Sequence, residues 1–221
     1  MKRVLVIGDT GGVVQAIVQT LLDRGDDVVG LSRSRDGLDV TNEHTVARQF
    51  GLLDGFFDLI FVATGALSVN DQQPEKSIRS LSGAALMDQL QANAVGPALI
   101  LKHSIRLMPR DRPCVFAALS ARVGSIGDNQ IGGWHSYRSS KADLNQLIHG
   151  ASIEIARTHP LACCACLHPG TVETSFSADY AKSHKRTPAP VAAANLVAVM
   201  DELSRKDTGG FFDYAGKTIP W

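Results

Sequence analysis

The stretch Tyr137-Arg138-Ser139-Ser140-Lys141 sets a phenol and an ammonium four positions apart. On a helix that spacing puts both groups on one face. A tyrosine with its ordinary pKa of about 10 is a poor acid–base group at neutral pH. A neighbouring ammonium favours the phenolate, so the pairing predicts a phenol pKa lowered toward the working range. The spacing alone is common, and a solvated ion-and-phenol pair is its plain alternative. Its place adds weight. The pair opens a helix that follows a strand ending in Ser120.

A second feature lies near the N-terminus. Gly8-Asp9-Thr10-Gly11-Gly12 joins an apolar run to a helical pattern that begins with Val13. Glycines there let the backbone turn tightly and approach a pyrophosphate, and the N–H groups that open the helix face it. A third glycine, usual in such loops, is replaced by Val14. That valine predicts a helix set slightly farther from its strand. The next strand ends Val29-Gly30-Leu31-Ser32-Arg33, with no carboxylate to take the two ribose hydroxyls of NAD. Arg33 can pair with a 2′-phosphate instead, with Arg35 close by, so the expectation is NADP(H) preferred over NAD(H).

These groups need elements to position them. Val4–Ile7, Val28–Leu31, Leu59–Ala63, Cys114–Leu119, Ala162–Leu167 and Phe211–Tyr214 read as short buried strands, with Leu38–Val40 as a further very short one. Between them run helical patterns. One starts at Gly12 and is closed by Gly25. One is capped by Thr41 and stopped by Gly51. One covers Ser82–Met108, interrupted at Gly96-Pro97, and others cover Ser136–Thr158 and Val191–Leu203. Alternating apolar strands and helices predict an α/β fold, a Rossmann-type doubly wound parallel sheet of about seven strands with helices on both faces. The expected organisation is one dinucleotide-binding domain over 1–221, with variable substrate loops at about 124–135 and 175–190.

Composition excludes several classes. The chain has 221 residues, with 22 basic and 22 acidic side chains. Zero net charge argues against nucleic-acid binding and gives no reason for membrane-surface attachment. The opening apolar run is too short for a signal-peptide core, and no run approaches the ~20 residues that span a bilayer, so a cytoplasmic protein is expected. Cys114, Cys163, Cys164 and Cys166 lack paired CxxC spacing and read as buried hydrophobes in a reducing compartment. In the strand, Cys164 and Cys166 face one way and Cys163 the other. The seven histidines show no HxH or HExxH arrangement, so no metal site is expected.

Taken together, the Gly8–Gly12 loop, Ser120, Tyr137 and Lys141 resemble the short-chain dehydrogenases/reductases. Further pieces match along the chain. Asp39-Val40 resembles the family's adenine-contacting pair, and Ala63-Thr64-Gly65 stands at its Asn-Asn-Ala-Gly strand end. Asn93 is similar to the helix asparagine that orders a water beside the lysine. His168-Pro169-Gly170-Thr171-Val172-Glu173-Thr174 is similar to the Pro-Gly segment whose threonine helps hold the nicotinamide carboxamide. Ser120-Ala121-Arg122-Val123-Gly124-Ser125-Ile126, Gly132-Gly133-Trp134 and the tail from Gly210 resemble the small C-factor-like, cell-signalling-type members.

The resemblance implies an oxidoreductase that reduces a carbonyl, or oxidises the alcohol, of a small molecule. Tyr137, Lys141, Ser120 and Asn93 would be catalytic. Gly8, Thr10, Gly11, Gly12, Val13, Ser32, Arg33, Asp39, Val40, Ala63, Thr64, Gly65, Pro169, Gly170, Val172 and Thr174, with Tyr137 and Lys141, would meet the cofactor. The family's serine usually stands thirteen before the tyrosine, where this chain has Gly124. Ser120 is preferred because a strand end fixes geometry better than a loop, and Ser125 is the other candidate. The resemblance also implies a homodimer or homotetramer formed through the two long helices. A docked Ile219-Pro220-Trp221 is expected because an exposed terminal tryptophan would be a liability. The rival class is a non-catalytic NADP-binding regulator on the same fold. A sugar epimerase or dehydratase would need a larger C-terminal domain.

Overall fold

The computed structural model describes residues 1–70, 72–173 and 186–221. Six parallel strands form one sheet: β1 (Arg3–Ile7), β2 (Asp27–Leu31), β3 (Leu59–Val62), β4 (Cys114–Leu119), β5 (Ala162–His168) and β6 (Phe211–Asp213), in the order β2-β1-β3-β4-β5-β6. The chain leaves β1 toward β2 and returns to pair β3 on β1's other side. The crevice at such a switch point, beyond the strands' C-terminal ends, is where open α/β sheets bind ligands.

Among the described residues the sheet therefore has six strands rather than about seven. Leu38–Val40 is not a strand, for local reasons. Gly37 turns left-handed (φ 66°) to end α2 (Arg33–Asp36). The Asp39 carboxylate then accepts from both the amide and the hydroxyl of Thr41, a turn that leaves no extended run. Thr41 is thus engaged, and Asn42 caps α3 (Glu43–Gly51) by accepting from the His44 amide. Val40 instead packs into the gap at Gly96.

Strand alternation feeds two cores. Leu5, Ile7, Ile60, Phe116, Cys164 and Cys166 point to the face covered by α3, α5 (Gly96–Ser104) and α6 (His135–Ile155). Val4, Val6, Phe61, Val115 and Cys163 point to the face covered by α1 (Gly12–Asp23) and α7 (Ala189–Glu202). The split of Cys163 from its neighbours is the predicted one. All four thiols are free and buried, and burial pushes the Cys114 thiol up to about 11 and Cys163 and Cys166 up to about 12. Val14 lies in the second core, 2% exposed, filling the space between α1 and the strands that a glycine would leave.

The expected long helix 82–108 is helical throughout but changes pitch. α4 (Gly83–Leu90) passes into a π turn over Gln91–Val95, then α5, then a 3₁₀ turn over Ile105–Leu107. The irregularity lies ahead of Gly96-Pro97. Pro97 has no N–H for the carbonyl four residues back, and the Gly96 amide reaches the Gln91 carbonyl instead. At the C-terminus Ile219 is buried and Trp221 stacks on Phe211 at 5.9 Å, so the tail is docked, but Trp221 itself stays 44% exposed, contrary to the reason for expecting docking. Among the described residues no helix is long and apolar enough to cross a membrane.

Candidate active site

The strand ends and the first turns of α1 and α6 enclose a cleft of about 860 Å³. Ligand pockets run to roughly 300–1,000 Å³. At one end lies the loop after β1. Gly8 has φ +87°, and a Cβ there would stand 3.1 Å from Thr64 Cγ2 and 3.3 Å from the Ala63 backbone, so only glycine fits this turn. Gly11 opens α1, and no side chain caps the helix. The hydroxyl of Thr64 is buried with no hydrogen-bond partner. Backbone donors left open at a helix start, a tight glycine turn and an orphaned hydroxyl just beyond the end of β3 fit the phosphates and ribose of a dinucleotide.

Gly11, Gly12 and Val13 line the cleft on one side, and Ala63, Thr64 and Gly65 line it beside them. Pro169, Gly170 and Val172 close it from the loop after β5. Ser32, Arg33, Asp39, Val40, Gly8 and Thr10 do not line it. Arg33 lies exposed beyond the end of β2; the hydrogen bonds from Thr41 hold the Asp39 carboxyl below the usual range, and the Arg33 charge adds to them. Arg35 is committed: it pairs with Asp9 at 2.8 Å and with Asp36 at 3.1 Å and donates to the Gly30 carbonyl. Thr174 lies outside the described residues, as does the substrate-loop stretch 174–185.

At the other end stand Tyr137, Lys141 and Ser120, all lining the cleft and all nearly buried. The start of α6 that carries Tyr137 is held from outside the helix. Trp134 sits at its N-cap in a left-handed conformation (φ 52°) and offers no side-chain cap. The buried carboxylate of Glu75 takes that role, accepting from the amide and hydroxyl of Ser136. Trp134 meets the Tyr137 ring edge-on at 6.2 Å. Lys141 Nζ donates to the Leu119 carbonyl at 3.0 Å.

The electrostatics of this pair differ from the sequence expectation. Burial pushes the Tyr137 phenol up and lowers the Lys141 ammonium to about 8. Desolvation penalises the charged form of each group, and in the ligand-free protein it outweighs any help the ammonium gives the phenolate. His168, behind the Pro169 turn, is likewise pushed down to about 4 by burial, and its Nδ1 is buried without a partner.

Gly124, Ser125 and Ser120 stand in different surroundings. Gly124, at the family's usual serine position, presses against α6: a Cβ there would lie 2.8 Å from the backbone carbon and Cβ of Lys141. Ser125 turns away and donates to the Pro220 carbonyl, tying the loop to the tail. Ser120, unlike Ser125, lines the cleft. Its amide donates to the Leu167 carbonyl at 2.7 Å, extending the sheet pairing, and its hydroxyl donates to Asn145 Oδ1 at 2.7 Å.

Asn93, in the π turn, is not drawn to the lysine through its side chain. Its Oδ1 accepts from the Ala66 amide at 2.8 Å and its Nδ2 donates to the Ala66 carbonyl at 2.9 Å, so it clamps the loop beyond Gly65. The sequence reading missed Glu75 and Asn145. Asn145 had a readable signal, since it falls four residues after Lys141 on the stripe that carries Tyr137. Glu75 had none: nothing in its neighbourhood announces which helix it caps.

No protein-family model matches the chain. The 1-hydroxy-2-glutathionyl-2-methyl-3-butene dehydrogenase of Rhodococcus sp. (strain AD45) is 28% identical, over 100% of both chains. The C-signal protein of Myxococcus xanthus is 31% identical, over 58% of this chain and 74% of that protein. Among solved structures, a chain described as a short-chain dehydrogenase/reductase from Burkholderia multivorans with bound NADP is 26% identical, with a TM-score of 0.84 and complete coverage of both chains. The carbonyl reductase Sniffer of D. melanogaster shares the fold, with a TM-score of 0.85 at 21% identity. On the strength of these relatives and of its fold, the chain belongs to the short-chain dehydrogenase/reductase family and is an oxidoreductase of that type.

Proposed function

We propose that this oxidoreductase reduces the carbonyl of a small molecule with NADPH, using Ser120, Tyr137 and Lys141. What carries the reading is the convergence of these three side chains on one cleft whose far end is lined by Gly11, Gly12 and Val13. The bound nicotinamide would supply a hydride to the carbonyl carbon. Ser120 is the hydrogen-bond partner of the carbonyl oxygen. Tyr137 gives that oxygen its proton, so that hydride and proton together make the alcohol. A phenol pushed up by burial stays protonated at neutral pH, which is the form that reduction requires. Lys141 steadies the phenolate left behind and positions the ribose, and Asn93 keeps the Gly65–Ala66 loop in place beside it.

Arg33 favours NADP(H) over NAD(H), since the last residues of β2 carry no carboxylate and that of Asp36 beside them is held by the Ser32 amide and Arg35. Thr10, Ser32, Asp39 and Val40 would serve the adenosine half, and Pro169, Gly170, Val172 and Thr174 the nicotinamide. Exposed Met87 on α4, with Leu147 and Ile153 on α6, supports a homodimer or homotetramer built on those helices. Four free buried thiols fit the cytoplasm.

Consumption of NADPH against a panel of aldehydes, ketones and quinones tests the reading. Tyr137→Phe should bind NADPH with unchanged affinity while turnover falls by roughly a hundredfold or more. Full turnover in that variant removes Tyr137 from the mechanism. The relative named C-signal keeps a second reading in view, a signalling protein that binds NADP without turning it over. Tight NADPH binding with no oxidation across the whole panel would establish that one instead.

A further inference from the structure

Tyr137, Lys141 and Asn145 stand at successive four-residue steps of α6, and each is nearly buried. The first two belong to the proposed proton transfer, and the third touches its remaining member. Asn145 Oδ1 lies 2.7 Å from Ser120 Oγ and accepts a hydrogen bond from the serine hydroxyl. A hydroxyl has one proton and two lone pairs. With its O–H directed at Asn145, Ser120 turns only lone pairs toward the cleft, and a carbonyl oxygen, itself an acceptor, finds no donor there. In the same arrangement Asn145 Nδ2 is buried with no partner. Both defects have one remedy. A half-turn of the amide about χ2 exchanges its oxygen and nitrogen. Nδ2 then donates to Ser120 Oγ across the same short separation. The position left without a partner now holds an oxygen, which tolerates that better than an N–H does. The serine's own proton is released to the cleft.

Resting on the catalytic reading above, we propose that Asn145 is the positioning residue of Ser120: by donating to Oγ it directs the hydroxyl proton at the substrate's carbonyl oxygen. An arriving carbonyl can only accept, so it favours the turned amide, and Asn145 converts the serine from acceptor to donor as substrate binds.

The test is a pair of single variants and their combinations with Ser120→Ala, assayed with NADPH and the panel carbonyl of highest turnover. Asn145→Ala removes the donor. Asn145→Leu removes it while keeping the volume filled, so a packing defect is not mistaken for a lost hydrogen bond. Each should lower kcat by about tenfold with the KM for the carbonyl little changed, the pattern of an interaction made in the transition state. NADPH affinity measured by fluorescence should stay within about twofold, which certifies that the cleft is intact. In the Ser120→Ala background neither substitution should cost anything further, because Asn145 acts only through that hydroxyl.

Losses that multiply in the double variants would overturn the proposal, as would an Asn145→Leu chain with unchanged kcat. If Ser120→Ala itself turns over at full rate, Ser120 leaves the mechanism and the inference goes with it. An impaired Ser120→Ala chain with independent Asn145 effects sinks the inference alone.

Discussion

Lys141 is the residue whose cost and use are most directly opposed. Its ammonium is buried, lowered to about 8, and among the described residues meets only the Leu119 carbonyl as hydrogen-bond acceptor. A buried cation without a carboxylate opposes folding, and such groups persist where function needs them. Lys141→Met should therefore stabilise the ligand-free protein by about 1–3 kcal/mol at pH 7 while abolishing turnover. The pH dependence has a definite sign. The folded pKa near 8 lies below the unfolded value of about 10.4. Between those values the unfolded chain holds the extra proton, so stability from this group rises with pH across that window and is lowest below it. The advantage of the methionine variant should be largest and flat below about pH 8, then shrink toward pH 10. Parallel urea titrations of the two chains at pH 7 and pH 9.5 would check this, and an advantage that grows with pH would refute it.

At the scale of elements, legibility followed period and chemistry. The buried strands and α1, α6 and α7 announced themselves because their apolar spacing is set by the core they fill. Tyr137, Lys141 and the glycine loop were readable because each sits at a fixed offset within one element or at one junction. What escaped depends on contacts between elements. No spacing rule ties Glu75 to the first turn of α6, or makes the Asp39–Thr41 turn replace a strand. The direction of the Tyr137 shift was misread for the same reason: a neighbour four residues away is visible in sequence, and the burial that outweighs it is not. The packing of the 3₁₀ turn over Arg122–Gly124 against α6 belongs to this class too, and it explains why the family's usual serine is missing. Restoring it should fail. Gly124→Ser would drive its Cβ into the Lys141 backbone, where nothing flexible can yield, at a cost of about 1–3 kcal/mol. Thermal unfolding should show a lower Tm, and kcat should fall because Lys141 moves. A variant as stable and active as the unsubstituted chain would contradict the close contact.

Across the whole molecule the sheet separates two tasks. β1, β2 and β3 end in the glycine turn, Arg33 and Thr64. β4, with α6 behind it, ends in the serine, phenol and ammonium. Groups at the β2 edge can therefore tune which dinucleotide binds without touching the reacting atoms. Arg35 does not serve that end directly, since Asp9, Asp36 and the Gly30 carbonyl already hold it, and its pairing with Asp9 offsets a carboxylate that would otherwise repel phosphate. On the proposed NADP(H) reading, Arg33, exposed just past the strand, would meet the 2′-phosphate. Its guanidinium can bind such a group bidentately, while NADH presents no partner for it. Arg33→Ala should weaken NADPH about tenfold or more and leave NADH affinity and saturated kcat within about twofold. Steady-state kinetics with both cofactors, repeated at two ionic strengths, would read this out. The NADPH advantage of the unsubstituted chain should shrink as salt rises, because an exposed ion pair is screened. Equal loss for both cofactors would instead mean that Arg33 shapes the short α2 turn rather than reading the phosphate.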